Sequence, residues 1–344
     1  MNLSVGFIAF ALFLFEVGGV MGFARDSRFG VIVSQHTDLV ATQVKFTLEE
    51  QPVVQAASSL IPELFECPVY RRTQLLFNEQ VSILEEKNGW YRVRALEQMV
   101  IDDKGSRGCH GWIKSEHVSI SKPLEDLSLV VTMLHAHVYE NSFQESPIIA
   151  SFSCGTKLNG FVYDAAWWKV QLPDNRYGFI AARDVIEQEV FKCKSADELR
   201  NLVVQQALQF NSVPYVWGGR NAHGVDCSGL IQLAYLSCGI RIQRYAHGQW
   251  KASQPVELNQ LKKGDLIFFG AIRDNQLVMI HVMLYLGDDM LLEAHGLIGK
   301  VRLISARERL GKSLSELRNG DFISMRRFVY GGSVMQKGKN EVIE

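Results

Sequence analysis

The run Val225-Asp226-Cys227-Ser228-Gly229-Leu230 sets a thiol next to an acid that can cap a helix. With Asp226 as the cap, Cys227 takes the first helical position. There the helix dipole favours the thiolate, which is the nucleophilic form of cysteine. Cys227 also falls in register with Leu230, Ile231, Ala234 and Cys238, so its side chain turns toward the body of a domain. A buried structural cysteine fits the same stripe, and the helix alone does not decide between the two.

A thiol nucleophile needs a base from a separate element packed on the helix start. His281 interrupts the apolar strand Ile280-His281-Val282-Met283-Leu284-Tyr285-Leu286, where a satisfied core histidine is the bland reading. The next strand strengthens the case. Gly287-Asp288-Asp289 makes a tight connection, and a three-residue loop centred on Asp288 pairs position 281 with 295. His281, Glu293 and His295 then share one face of a hairpin. Either Glu293 or His295 can orient the imidazole, as a third group does in other triads.

These residues need a scaffold of helices and strands. Ala196 to Phe210 has apolar residues at helical spacing and ends before Pro214. A second helix runs from Asp226 to Cys238 and stops at Gly239. Strand-like runs follow at 265–269, 279–286, 290–295 and 322–329, which gives an α+β domain over 196–330. Upstream there is an internal repeat. Trp90-Tyr91-Arg92-Val93 is echoed by Trp167-Trp168-Lys169-Val170, and Gly111-Trp112-Ile113 by Gly178-Phe179-Ile180. Short alternating runs broken by turns such as Asn88-Gly89 predict two small β-barrels. The pattern resembles bacterial SH3-like domains over 63–121 and 128–188. Their aromatics serve as barrel core, with one in each barrel able to face a ligand.

Among the 344 residues, 47% are apolar and 21% charged, so there is ample core for several domains. A formal charge of −1 argues against a protein built to grip nucleic acid or an anionic membrane. Val5 to Phe15 is an apolar run too short for a membrane span, and Gly22-Phe23-Ala24 offers small residues for cleavage. Residues 1–24 therefore read as a signal peptide, which puts the protein in the periplasm or cell envelope. The cysteines at 67, 109, 154, 193, 227 and 238 lack the close pairing of a zinc or redox site. No disulfide is predicted, and no ligand cluster calls for a metal or organic cofactor.

Taken in order, several motifs resemble the NlpC/P60 family, papain-like cysteine peptidases of bacterial peptidoglycan. They are Pro214-Tyr215-Val216-Trp217-Gly218-Gly219, Asp226-Cys227-Ser228-Gly229, Gly264-Asp265-Leu266, His281-Val282 and Tyr285-Leu286-Gly287. The resemblance implies Cys227 as nucleophile, His281 as general base and a Tyr215 hydroxyl near the oxyanion. It places Ser228 and Asp226 in the substrate pocket and the third polar residue at Glu293, with His295 the alternative. It also implies cleavage of peptidoglycan stem peptides between D-glutamate and a diamino acid such as diaminopimelate. Relatives with two SH3-like domains clamp a free amine with an Arg-Asp-Ser run. Here Arg244 and Gln249 fit that pattern, while Tyr245 and Ala246 replace the acid and the serine. An N-acetylmuramoyl-L-alanine amidase would use the same thiol chemistry and differ in its product. A wall-binding protein with an inactive peptidase domain would not need both Cys227 and His281.

Overall fold

The computed structural model describes residues 28–41, 71–100, 108–120, 127–172, 175–324 and 327–335. The expected signal peptide lies outside them, as does Cys67. The first unit is built from β1 (Arg28–Ile32), β2 (His36–Val40), β3 (Arg71–Leu76), β4 (Gln80–Lys87), β5 (Trp90–Ala95), β6 (His110–Lys114) and β7 (Val118–Ile120). These pair in the order β3-β2-β6-β5-β4-β1-β7. Two of its strands precede residue 63, where the sequence reading began this unit. Their short, partly polar runs give little strand signal without the neighbours that β1 and β2 pair with.

The second unit comprises β8 (Leu129–Val131), β9 (His135–Tyr139), β10 (Ile148–Ser153), β11 (Lys157–Leu158), β12 (Gly160–Val162), β13 (Trp167–Gln171), β14 (Tyr177–Ala181) and β15 (Val185–Glu187). Its strands form two sheets, β10-β9-β14-β13-β12 and β11-β8-β15. The sequence repeat is also a repeat of register. Tyr91 faces Ile113 and Val93 faces Gly111, while Trp168 faces Ile180 and Val170 faces Gly178. Both glycines meet a third strand: a side chain at 111 would lie 2.5 Å from the Val40 carbonyl, and one at 178 would lie 3.0 Å from that of Tyr139.

The third unit opens with α1 (Glu189–Lys192) and α2 (Ala196–Leu208), the latter capped by reciprocal Ser195 and Glu198 bonds. A small ribbon, β16 (Arg220–Asn221) and β17 (Gly224–Val225), leads into α3 (Cys227–Leu236) and α4 (Ala246–Ala252). The remaining strands are β18 (Gln254–Pro255), β19 (Leu266–Arg273), β20 (Gln276–Gly287), β21 (Met290–His295), β22 (Lys300–Ser305), β23 (Phe322–Ser324) and β24 (Arg327–Ser333). They form an antiparallel sheet in the order β18-β24-β19-β20-β21-β22, with β23 on β24 and α5 (Ala306–Leu310) following β22. The sequence reading missed β22. The β20–β21 connection is a two-residue turn, with Asp288 and Asp289 both at positive φ. A register shift between Tyr285 and Gly287 then restores the Leu284–Leu292 pairing, which carried onward sets His281 across from His295.

One apolar core joins the three units: Leu76, Val130 and Cys154 pack with α2, α3 and the third unit's sheet. Lys157 ion-pairs with Glu97, and Phe77 stacks on Phe152 at 5.0 Å, tying the second unit to the first.

Candidate active site

At the start of α3 the Asp226 carboxylate accepts the Gly229 N–H at 2.6 Å and the Gly218 N–H at 3.1 Å. This cap fixes Cys227 at the first helical position. A side chain at 229 would run into the Gly219 carbonyl, so the close approach of loop and helix needs glycine there. The Cys227 sulfur is hydrogen-bonded by the backbone of Val282 and Ser228, which sets it against β20 one residue past His281.

The expected bias toward thiolate is outweighed. Burial, then the Asp226 charge, push the Cys227 thiol up to about 12, despite the Val282 and Ser228 backbone bonds and the Arg244 charge. The thiol therefore keeps its proton at neutral pH, and attack by it requires a base.

The expected base, His281, has its ring anchored by a carboxylate. The His281 Nε2 atom lies 2.8 Å from Glu293 Oε2. An ionised carboxylate can only accept, so Nε2 carries the hydrogen and Nδ1 is the nitrogen left to take a proton. Glu293 is fully buried. Arg302 donates to its Oε1 from Nε at 3.0 Å and Nη2 at 2.7 Å, and Arg309 Nε reaches Oε2 at 3.0 Å. Burial by itself would raise this carboxyl. The His281 hydrogen bond and charge, with Arg309 and Arg302, outweigh burial and hold it well below the usual carboxylate range. Arg309 also lies over the Phe269 ring at 4.6 Å, and that ring is 5.7 Å from the imidazole of His281.

His295 stands apart from this chain of bonds. Its ring centroid is 6.3 Å from that of His281, and its Nδ1 accepts the Ile298 N–H at 3.2 Å. Burial lowers it to about 4, so it stays neutral over the physiological range. Of the two candidates left open by the sequence, Glu293 is the one bonded to His281.

The polar groups of four residues expected to touch substrate turn inward instead. Arg244 is wholly buried and grips Asp226 through Nη1 at 3.0 Å and Nη2 at 2.8 Å. It also bonds Ser228 Oγ at 3.0 Å and Thr73 Oγ1 of the first unit at 2.5 Å. Asp226 and Ser228 are both buried and bonded to each other, so they serve the cap rather than an open pocket. The Tyr245 hydroxyl points into the first unit, 3.3 Å from both Cys109 Sγ and the Arg72 carbonyl. Tyr215 is half-buried; its N–H bonds the Gly299 carbonyl and its ring lies beside Gly296.

The profile of the NlpC/P60 family matches residues 212–314. A γ-D-glutamyl-L-lysine dipeptidyl-peptidase of Bacillus subtilis is 30% identical over 223 residues, which cover 65% of this chain and 72% of that protein. The chain belongs to the NlpC/P60 family. It is thus a cysteine peptidase. A crystal structure of an NlpC/P60 protein from Bacillus cereus aligns with a TM-score of 0.69 over 90% of this chain and all of that one, at 20% identity. It shares the fold. The peptidoglycan endopeptidase RipB of Mycobacterium tuberculosis is 36% identical over 119 residues, 31% of this chain and 47% of its own length.

Within this NlpC/P60 site, sequence reasoning missed Arg302 and Arg309. Arg302 stands directly opposite Glu293 in the β21–β22 ladder. The alternating run Val301-Arg302-Leu303-Ile304 was the available signal. Arg309 lies on α5, far from Glu293 in strand register, and only folding brings it in.

Proposed function

We propose that this NlpC/P60 protein hydrolyses peptidoglycan stem peptides at the γ-D-glutamyl–diamino acid bond, with Cys227 as nucleophile. The observation that carries the reading is the bond to Glu293 from Nε2 of His281, whose own strand, through the Val282 backbone, also holds the Cys227 sulfur. Sγ attacks the peptide carbonyl as its proton passes to His281 Nδ1. The tetrahedral oxyanion is met by the Cys227 N–H at the helix start and by the Tyr215 hydroxyl. His281 then protonates the leaving amine and a thioester remains. Water adds to the thioester, giving its proton to the same nitrogen, and the thiol is regenerated as the acid departs. Glu293 holds the ring and balances its charge.

The names of the B. subtilis and M. tuberculosis relatives support this substrate class, and a wall substrate fits an exported protein of the periplasm or cell envelope. No helix among the described residues is long and apolar enough to cross a membrane. The two strand-rich units, related by their shared register, are read as the SH3-like domains. The test is mass spectrometry of digests of free-amine stem tripeptides and of intact sacculi by wild type and Cys227→Ala. New termini after D-glutamate that vanish in Cys227→Ala are expected. Termini at the sugar–peptide bond, or undiminished cleavage by the variant, would overturn the reading.

A further inference from the structure

The outer face of the second unit's larger sheet is aromatic. Phe161, Lys169 and Phe179 stand side by side across β12, β13 and β14. Tyr177 lies two residues before Phe179, and Tyr163 two after Phe161. All five point away from the core formed by Val138, Val170 and Ile180. Phe161, Tyr163 and Tyr177 are 53%, 52% and 49% exposed, unusual for aromatics on the same sheet face. The Lys169 ammonium lies 5.4 Å from the Tyr177 ring centre and 5.8 Å from that of Phe179. Along the same face Tyr139 pairs with Phe179 and meets Trp167 edge-on at 5.6 Å. Past Trp167 opens a groove of about 550 Å³, whose lining includes Phe143, Glu145, Ala165, Ala166, Ala181 and Arg183.

We propose that this face and groove bind the N-acetylated amino-sugar strand of peptidoglycan. A pyranose ring has an apolar C–H face and a rim of hydroxyls. It matches a cluster of mutually tilted, exposed rings edged by two phenol hydroxyls and an ammonium. The alanine-lined groove, within the usual volume range of small-ligand sites, accepts an acetamido methyl. Lys169 supplies the one charge among the five platform residues, and it complements the lactyl carboxylates left free where stem peptides have been removed from such a strand. The choice of polymer rests on the proposed peptidoglycan substrate; the platform itself is separate from Cys227 and His281.

The experiment measures binding of peptide-free glycan strands and of neutral N-acetylglucosamine oligomers to the full chain carrying Cys227→Ala, by calorimetry. In that background, Phe161→Ala with Tyr177→Ala is expected to weaken both ligands at least tenfold. Lys169→Glu is expected to weaken only the carboxylate-bearing strands. In the active background the Phe161/Tyr177 double variant should cleave soluble tripeptide at the wild-type rate. Equal affinities across the variants, or no binding by the parent, would overturn the proposal. Concentration-dependent dimerisation abolished by the double variant, without glycan affinity, would assign the face to a second copy of the chain. Failure of wild type to cleave any stem peptide would count against the proposed function and leave the glycan result standing.

Discussion

The Thr73 hydroxyl lies 2.5 Å from Arg244 Nε, joining a strand of the first unit to the residue that clamps Asp226 at the start of α3. The link continues inward: Thr73 donates to Gln98, Gln98 donates to Glu79, and Glu79 pairs with Arg220. Arg220 in turn donates to Gln232 of α3 at 2.6 Å. Every member of this ring is buried. The first unit therefore holds α3 at two points through charge-assisted bonds, which lose much of their value if one partner leaves.

Thr73→Val is expected to lower kcat by about tenfold, the equivalent of roughly 1.4 kcal/mol in the barrier. KM should change little, because Thr73 acts through Arg244 and Asp226. Thr73→Ser should restore the rate. Steady-state kinetics of the three proteins decides it: a loss not rescued by serine would mean that the methyl packing, not the hydroxyl, matters.

Glu293→Gln should cost about 3–5 kcal/mol of stability, because it leaves the Arg302 and Arg309 guanidiniums facing a neutral group in the interior. The sign of its pH dependence follows from a folded pKa held below the ordinary 4.5. The stabilisation is complete above that ordinary value and drains away as the pH falls toward the folded one. Urea unfolding at pH 7 and pH 3 should show the gap between wild type and variant narrowing in acid. A widening gap would contradict the ionised, triply held carboxylate.

Alkylation of Cys227 by iodoacetamide should accelerate steadily from neutral to alkaline pH, since burial and Asp226 keep its proton on. Peptide mapping of the labelled protein follows the rate. A plateau already reached below pH 7 would reveal a resting thiolate–imidazolium pair instead.

Gly111→Ala should destabilise the protein by about 1–3 kcal/mol, the range for overpacking, because its new methyl meets the Val40 backbone at 2.5 Å. Gly89→Ala is the contrasting control. Nothing lies within 4 Å of a side chain there, so any loss comes from its positive φ alone. Thermal melts of both variants separate strand crowding from backbone strain, and an equal or larger loss at Gly89 would reverse the ranking.

The helix cap at Asp226, the position of Cys227, the strand carrying His281 and the paired repeat were all legible in the order of residues. Each is written in neighbours a few residues apart, where periodicity, capping chemistry and turn residues act. The repeat even carried its register, because Gly111 and Gly178 mark where a third strand's carbonyl crosses. Tertiary structure alone decided between Glu293 and His295, since the hairpin admits both and only the imidazole's bond to Glu293 selects one. It also turned Arg244 from a substrate clamp into a buried tie, and it gathered Arg302 and Arg309 around one carboxylate. Those outcomes depend on burial and on partners distant in the chain. A buried charge must find its counter-charge wherever folding places it, and residue spacing does not encode that meeting.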